Sequence, residues 1–182
     1  MTLSFALERL ATPTGRMLIV TDDSQRLRAV DWQDHEPRMM TLLRRHYGAD
    51  VPRLVERAAP SAARRALEAY FAGDLAAIAG LPTATNGTPF QRAVWEALRR
   101  IPAGCTRSYA ALAAEIGRAT ATRAVGLANG ANPIAIVVPC HRVIGADGSL
   151  TGYGGGLDRK RWLLAHERVA VAANDARSRA TA

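Results

Sequence analysis

The hydrophobic pattern of the first 35 residues predicts β-strands. A continuous apolar run covers residues 17–20, directly after the turn Pro13-Thr14-Gly15. Residues 27–32 then alternate between apolar and polar positions after a second turn. Together these segments indicate a small sheet near the N-terminus.

Two amphipathic helices are predicted next. Pro37 suits the first turn of a helix that ends just before Gly48, and a second helix runs from about Ser61 to Phe71. Residues 81–87 contain Pro, Thr, Asn and Gly and have the composition of a linker.

Helices dominate the second half of the chain. Residues 88–91 form a capping box with proline at the first helical position. Ser108 is placed to cap a second helix, and Thr120 or Thr122 to cap a third that ends near Gly130. A short helix, a glycine turn and another short helix make a helix-turn-helix candidate.

The third of these helices carries small residues at Ala124, Gly126, Ala128 and Gly130. A glycine inside a helix costs about 1 kcal/mol relative to alanine. Either a neighbouring helix packs tightly there or a ligand approaches closely. Arg123 stands at the start of this helix, where the helix dipole disfavours a cation unless solvent or a phosphate compensates.

The segment PCHRV at residues 139–143 carries the strongest chemical signal. It follows an apolar run at residues 134–138, interpreted as a strand that the proline ends, and precedes a predicted hairpin turn at residues 145–148. Cys140 beside His141 is a candidate nucleophile and base, because the thiolate is the reactive form of cysteine. The alternative is a buried cysteine beside a surface histidine.

A glycine-rich loop follows at residues 151–156, and its backbone is free to approach a ligand closely. Tyr153 within it favours a binding loop over a plain linker. A last helix is predicted over residues 157–166. Residues 169–182 are expected to form a mobile tail.

The amino-acid composition narrows the classes of protein to which the chain can belong. The hydrophobic fraction of 48% is enough for a real core. The two cysteines, Cys105 and Cys140, exclude a disulfide framework, and the lack of a CxxC pair argues against a zinc ribbon. We recognise no signal peptide and no membrane-length apolar segment, so we expect a cytoplasmic protein without a membrane partner.

Charge is distributed unevenly along the chain. The net charge is +8, yet residues 1–85 hold 11 Arg against 10 Asp and Glu. Residues 86–182 hold 12 Arg and one Lys against 6 Asp and Glu. A basic half that also carries the Cys-His pair points to a polyanion, most simply a nucleic acid. Compositional bias explains the preference for Arg over Lys but not the asymmetry.

The chain resembles the 6-O-alkylguanine-DNA alkyltransferases, which are the methylated-DNA–protein-cysteine methyltransferases. The matching segments are GTPFQRAVWEALRRIPAG, SYAALA, TRAVGLANGANP, IVVPCHRVIG, TGYGGGL and KRWLLAHE, and TPTGRMLIV, LRAVDW and YFAGDL in the first half. The resemblance implies an α/β (α+β) fold. A ribonuclease H-like α/β domain over residues 1–82 would precede a helical winged helix-turn-helix domain over residues 83–168 that carries the active site.

The resemblance also implies catalytic roles. Cys140 would accept the alkyl group, and His141 would take its proton through a water. Glu167 would orient His141, and we expect this pair to raise the thiolate fraction of Cys140. Asn132 would hold the turn around Cys140, and Tyr109 would donate a hydrogen bond toward the guanine leaving group.

Substrate contacts follow from the same resemblance. The carbonyls of Cys140 and Val143 and the backbone of Gly154 would read the base edge, with Tyr153 in the binding loop and Lys160 at the pocket rim. Arg123 would fill the space left by a flipped nucleotide. The other expected DNA contacts are Thr122, Ala124 and Gly126.

The implied function is repair of 6-O-alkylguanine in double-stranded DNA by one irreversible transfer per molecule, since nothing in the chain would hydrolyse the thioether. No metal and no cofactor are implied, and a monomer is expected. Activity on 4-O-alkylthymine and the preferred alkyl group stay open. The alternatives are a helix-turn-helix regulator without alkyl transfer and a cysteine hydrolase. Cys105 is interpreted as a structural or surface thiol.

Overall fold

The structure is a computed structural model that describes residues 3–169. Apart from Val169, the predicted tail at residues 169–182 lies outside the described residues. None of the described helices is long and apolar enough to cross a membrane.

A four-stranded sheet forms the N-terminal half, in the order β3-β2-β1-β4. β1 pairs antiparallel with β2, β2 pairs antiparallel with β3, and β4 joins β1 in parallel. The strand bounds are β1 Ser4–Thr12, β2 Gly15–Thr21, β3 Leu27–Trp32 and β4 Arg53–Glu56.

Both faces of the central strands are covered, which explains the continuous apolar run in β2. Met17 and Ile19 enter the large core that extends into the C-terminal half. Leu18 and Val20 pack on the opposite face beneath the first helix, α1 (Glu36–Tyr47). Each buried side chain of this size stabilises the fold by roughly 1.5–3 kcal/mol. The predicted strands and α1 are confirmed.

The edge strand β4 was not predicted from the sequence. Its residues are half-buried or exposed, and Val55 is 47% exposed. The hydrophobic alternation that marks a half-buried strand is therefore weak there. Pairing with β1, rather than any local signal, makes this segment a strand.

The segment at residues 81–87 is not the free linker that its composition predicts. The Leu27 amide donates to the Pro82 carbonyl at 2.8 Å, and the Ala84 amide donates to the Leu27 carbonyl at 2.9 Å. Arg99 also donates to the Leu81 carbonyl at 2.9 Å. The segment that connects the two halves is thus hydrogen-bonded to the start of β3 and to the helix that ends at Arg99.

Within the described residues, five further α-helices and a two-stranded parallel sheet follow. Thr88 and Ser108 cap two of the helices as predicted, with Gln91 closing the capping box, and Ser61 caps a third. The elements are α2 Ala62–Phe71, α3 Pro89–Arg99, β5 Arg107–Ser108, α4 Tyr109–Glu115, α5 Thr122–Gly130, β6 Val143–Ile144 and α6 Leu157–His166.

The cap predicted for α5 is wrong. Its N-cap is Ala121, which has no capping side chain, and Thr122 is already the first helical residue. Neither Thr120 nor Thr122 accepts a capping hydrogen bond in the described structure.

The apolar run at residues 134–138 is buried but is not a strand. Ile134 makes a single bridge to Val30, and Ile136 has a φ of 70°, which no strand residue adopts. A short buried run cannot be assigned from periodicity alone. Pro139 therefore ends no ladder. The turn at residues 145–148 is closed by a bond from the Gly145 amide to the Ser149 carbonyl at 2.8 Å, but β6 pairs with β5 and forms no hairpin.

Candidate active site

Cys140 begins a one-turn 3₁₀ helix, Cys140–Arg142, and is only 5% exposed. Asn132 organises the turn around it. The Asn132 Nδ2 donates to the Val138 carbonyl at 2.8 Å and lies 3.2 Å from the Cys140 Sγ, while its Oδ1 accepts from the Ile134 amide at 3.0 Å. One buried amide thus fixes both the peptide path and the sulfur.

Burial raises the pKa of the Cys140 thiol. The Asn132 amide and the charges of Arg38 and Lys160 act in the opposite direction but do not outweigh burial. The resting thiol is therefore protonated at neutral pH. The contribution of the His141 and Glu167 pair to the thiolate fraction stays a prediction.

His141 is fully buried next to the thiol-bearing residue. Its Nε2 lies 2.9 Å from the Glu167 Oε1, and its Nδ1 has no partner among the described residues. Burial lowers the pKa of His141 more than Glu167 raises it, so the imidazole is neutral. An ionised Glu167 only accepts hydrogen bonds, so Nε2 carries the proton and Nδ1 has a free lone pair. The surface position considered for His141 is wrong.

Glu167 is held ionised inside the protein. Burial raises its pKa, but hydrogen bonds from His141 and Arg142 hold that pKa well below its ordinary value. The Arg142 Nε donates to Oε2 at 2.9 Å, and its Nη2 donates to Oε1 at 2.8 Å. The Tyr70 hydroxyl donates to Oε1 at 2.7 Å. The bidentate pair with Arg142 balances the buried negative charge.

The predicted position of Lys160 at the pocket rim is wrong, since its side chain is fully buried. The Lys160 Nζ donates to the carbonyls of Val143 at 2.7 Å, Thr151 at 2.8 Å and Gly152 at 3.4 Å. Burial lowers the pKa of Lys160 to about 8. Lys160 thus links the start of the glycine-rich loop to β6 through hydrogen bonds, and it supports the loop from the protein interior.

A cavity of about 510 Å³ opens between α4, α5 and the glycine-rich loop. Tyr109 lines it and donates its hydroxyl to the Thr151 carbonyl at 3.3 Å. Asn129 also lines it and donates from Nδ2 to the Cys140 carbonyl at 3.4 Å, which links the cavity wall to the cysteine. The other lining residues are Thr122, Gly126, Gly130, Thr151, Gly152, Tyr153 and Gly154.

The glycine-rich loop packs closely on the N-terminal domain. A Cβ at Gly154 would come within 2.5 Å of the Arg38 guanidinium, and one at Gly155 within 2.4 Å of the Trp32 ring. The Tyr153 ring packs edge-on against Trp32 at 6.0 Å, and its hydroxyl has no partner among the described residues. Any side chain at either glycine would push the loop away.

The small residues of α5 are not all required by packing within the chain. A Cβ at Gly130 would meet nothing within 4 Å, and one at Gly126 would make only ordinary contact with the Tyr109 ring at 3.8 Å. Packing within the described residues therefore does not require a glycine at either position, and close approach of a ligand stays a prediction for this helix. Arg123 and Ala124 are exposed on the same helix.

Several residues of the site were not predicted from the sequence. Arg142 lies inside the PCHRV segment, but a cation in a basic half gives no signal of burial. Asn129, Tyr70 and Arg38 are brought in only by the fold. Arg38 lies between Asp31, with which it pairs at 2.5 Å, and the carbonyls of Gly130 at 2.9 Å and Asn132 at 3.3 Å. Cys105 is exposed and far from the site in sequence.

Comparison with known families agrees with this arrangement. The ribonuclease-like domain of 6-O-methylguanine DNA methyltransferase matches residues 8–85, and the DNA binding domain of the same family matches residues 89–169. The chain belongs to the 6-O-methylguanine DNA methyltransferase family. Its fold is the mixed α/β architecture of that family, with an N-terminal sheet domain and a helical C-terminal domain.

Relatives and solved structures place the chain within this family. A methylated-DNA–protein-cysteine methyltransferase of Salmonella typhimurium is 55% identical over 88% of this chain and 94% of its own length. The crystal structure of Mycobacterium tuberculosis OGT in complex with DNA has a TM-score of 0.74 at 41% identity, covering 90% of this chain and 93% of that one. A 6-O-methylguanine-DNA methyltransferase of Pyrococcus kodakaraensis shares the fold at a TM-score of 0.66 and 23% identity.

Proposed function

We propose that this protein repairs DNA by moving an alkyl group from the 6-oxygen of guanine to Cys140. The observation that carries the proposal is the buried Cys140 next to a neutral His141 whose Nε2 is fixed by Glu167 and whose Nδ1 is free. A thiol held this way has a base within the same turn, and the relatives named as methyltransferases share most of the chain. The regulator without alkyl transfer gives no reason for this arrangement.

The transfer is an in-line displacement at a saturated carbon. The Cys140 proton passes to His141 Nδ1 through a water, and the sulfur forms a new bond to the alkyl carbon. The bond between that carbon and the guanine oxygen breaks, and its electron pair stays on the base, which leaves as neutral guanine after taking up a proton. The thioether persists, so each molecule reacts once.

The leaving base would occupy the cavity beneath the glycine-rich loop. Tyr109, which lines this cavity, would donate toward the base. The carbonyls of Cys140 and Val143 and the backbone of Gly154 would read its edge, with the Tyr153 ring as a wall. Lys160 would act by holding the Val143 carbonyl in place. A cavity of this volume is within the range of sites that enclose a small molecule.

The exposed face of α5 would lie against the DNA. A base inside a duplex is out of reach of a buried thiol, so it must leave the stack. Arg123 is placed to fill the vacated space, and Thr122, Ala124 and Gly126 would let the helix approach the groove closely. The complex of Mycobacterium tuberculosis OGT with DNA supports a DNA partner.

The setting of this reaction follows from its chemistry. A reactive thiol must stay reduced, so we place the protein in the cytoplasm. One copy of the chain holds every group of the proposed site, which is consistent with a monomer. We also propose that residues 1–82 and 83–168 act as the two domains, with no metal or cofactor taking part.

Intact-mass measurement after mixing with a duplex that contains 6-O-methylguanine tests the proposal. We expect a mass increase of one methylene unit per molecule, mapped to Cys140, and unmodified guanine in the DNA. A cysteine hydrolase would show no stable adduct, and a regulator would bind the duplex without reacting. Either result would refute alkyl transfer.

A further inference from the structure

We propose that Tyr70 is a positioning residue for the proton relay, so that the N-terminal domain controls the chemistry of Cys140. This inference rests on the proposed function. It assigns to α2 of the first domain a direct part in the relay of the second domain, through the carboxylate of Glu167.

The geometry of Glu167 carries the proposal. The Tyr70 side chain is fully buried, and its hydroxyl lies 2.7 Å from the Glu167 Oε1. The same oxygen lies 2.9 Å from the His141 Nε2 and 2.8 Å from the Arg142 Nη2. Oε2, by contrast, is contacted by Arg142 at 2.9 Å. The oxygen that faces the catalytic imidazole is therefore the one that Tyr70 also holds.

The direction of this hydrogen bond is settled by the charges. An ionised carboxylate only accepts, so the phenol of Tyr70 donates. Burial, together with the charge of Glu167, raises the pKa of Tyr70 far above its ordinary value. The hydroxyl thus keeps its proton at every pH at which the protein is folded.

Tyr70 is itself fixed by contacts between α2 and α6. Its carbonyl lies 2.8 Å from the His166 Nε2, and the two rings pack edge-on at 5.1 Å. Phe71 packs edge-on against Tyr70 at 5.4 Å and stacks near His166. The phenol therefore reaches Glu167 from a rigid contact between the two domains.

The direction in which Tyr70 shifts the pKa of His141 follows from the fact that both residues contact the Glu167 Oε1. A donor that binds this oxygen lowers its ability to stabilise a second positive partner. Without the Tyr70 hydroxyl, the carboxylate would stabilise a protonated His141 more strongly. The pKa of His141 would then rise, so the neutral imidazole that accepts the Cys140 proton would be present only at higher pH, while the carboxylate would be less well fixed and the maximal rate would fall.

The test compares Tyr70→Phe with Tyr47→Phe. Tyr47 is a matched control, since its hydroxyl accepts from the Arg28 Nη1 at 3.0 Å within the N-terminal domain, away from the relay. Single-turnover rates are measured across pH with the free alkylated guanine base, so that DNA binding plays no part. Thermal unfolding of each variant is followed in parallel.

We expect Tyr70→Phe to move the midpoint of the rate profile up by at least about half a pH unit and to lower the plateau about tenfold. Tyr47→Phe should leave the midpoint unchanged, even if it lowers the melting temperature. A Tyr70→Phe protein that loses only active fraction, with an unchanged midpoint, would show a purely structural role and overturn the proposal.

Two further measurements keep the test decisive. If Tyr70→Phe does not fold, 3-fluorotyrosine placed at position 70 makes the hydroxyl a stronger donor, and the midpoint should move down. An unmoved midpoint would then overturn the proposal. The unchanged protein is run in every series: if it forms no adduct on Cys140, the proposed function has failed rather than the role of Tyr70.

Discussion

At the scale of single residues, the site pairs two neutral groups that burial keeps neutral. Burial raises the pKa of the Cys140 thiol and lowers that of His141, so neither is charged at rest. Thiolate is produced only when the proton moves to the imidazole. The adjacency of Cys140 and His141 predicted the nucleophile and the base, and the family resemblance implied the role of the Asn132 amide. Tyr70 and Arg142 could not be predicted as partners of Glu167, because only the fold brings them together.

The nucleophile is tested by Cys140→Ser. A hydroxyl is a far weaker nucleophile in the same place, so alkyl transfer should fall to background while folding and DNA binding are retained. Cys105→Ser is the matched control, since that thiol is exposed, and it should keep full stoichiometry. Peptide mass mapping decides, and an adduct on Cys105 in the unchanged protein would contradict the assignment.

Glu167→Gln tests the relay. The amide keeps the size of the side chain but removes the charge that stabilises a protonated His141, so transfer at neutral pH should slow by about 10²-fold. Partial recovery is expected at high pH, where hydroxide helps to deprotonate the thiol. Glu115→Gln, at an exposed pair with Arg100, should react at the normal rate. Equal rates for Glu167→Gln and the unchanged protein across the pH range would leave the carboxylate without a role.

The stability of the protein at acid pH gives an independent test of whether Glu167 is held ionised in the fold. Its pKa is lowered on folding, so it stabilises the fold above the ordinary carboxyl pKa of 4.5, and this contribution is lost as the pH falls below that value. The free energy of unfolding should therefore fall more steeply with decreasing pH in the unchanged protein than in Glu167→Gln. Parallel slopes in denaturant titrations would show that Glu167 is not held ionised.

At the scale of elements, the helices follow their local signals and the irregular segments do not. The caps Thr88 and Ser108 and the bounds of α6 were predicted correctly, because capping acts within one turn of the chain. The apolar run at residues 134–138 was predicted as a strand and is a buried coil between the two domains. Composition also failed at residues 81–87, where hydrogen bonds to β3 make an ordered crossing.

The glycine-rich loop is the element whose order we expect to depend on a single side chain. Lys160→Met removes the donor shared by the Val143, Thr151 and Gly152 carbonyls. Hydrogen exchange of the loop amides should quicken about tenfold or more, which corresponds to roughly 1.4 kcal/mol, and transfer should slow equally on free base and duplex. Arg161→Met, one residue on and exposed, serves as the control. Unchanged loop exchange would show that Lys160 does not hold the loop.

At the scale of the whole molecule, the basic excess and the site occupy the same half of the chain. The PCHRV segment predicted the site in this half and the charge excess predicted a polyanion partner there, but the sequence could not predict that the N-terminal domain reaches into the site. Trp32 and Arg38 pack on the glycine-rich loop, and Tyr70 contacts Glu167. The first domain therefore supports the chemistry, while the second faces the DNA. To separate the chemistry from DNA binding, rates are compared on duplex DNA, which must be bound, and on the free alkylated base, which needs no DNA binding.

Salt dependence tests the DNA-binding face. If the C-terminal half neutralises phosphates, binding to unmodified duplex should weaken as salt rises. Loss of one phosphate-contacting cation should reduce the slope of log affinity against log salt by about one. Arg53→Ala, on the exposed edge strand β4, should leave the slope unchanged. A flat response in the unchanged protein would show that the charge excess reflects composition only.

Arg123→Ala separates base flipping from chemistry. Arg123 is exposed at the start of α5, beside the cavity that Thr122 and Gly126 line. Unstacking a base costs a few kcal/mol, so losing part of the compensation should slow reaction with duplex by about tenfold or more. The free alkylated base needs no flipping and should react at the normal rate, whereas Tyr109→Phe should slow both substrates. Single-turnover rates on the two substrates test this prediction. An equal loss of rate on both substrates for Arg123→Ala would mean that Arg123 supports the pocket and does not fill the space left by the flipped base.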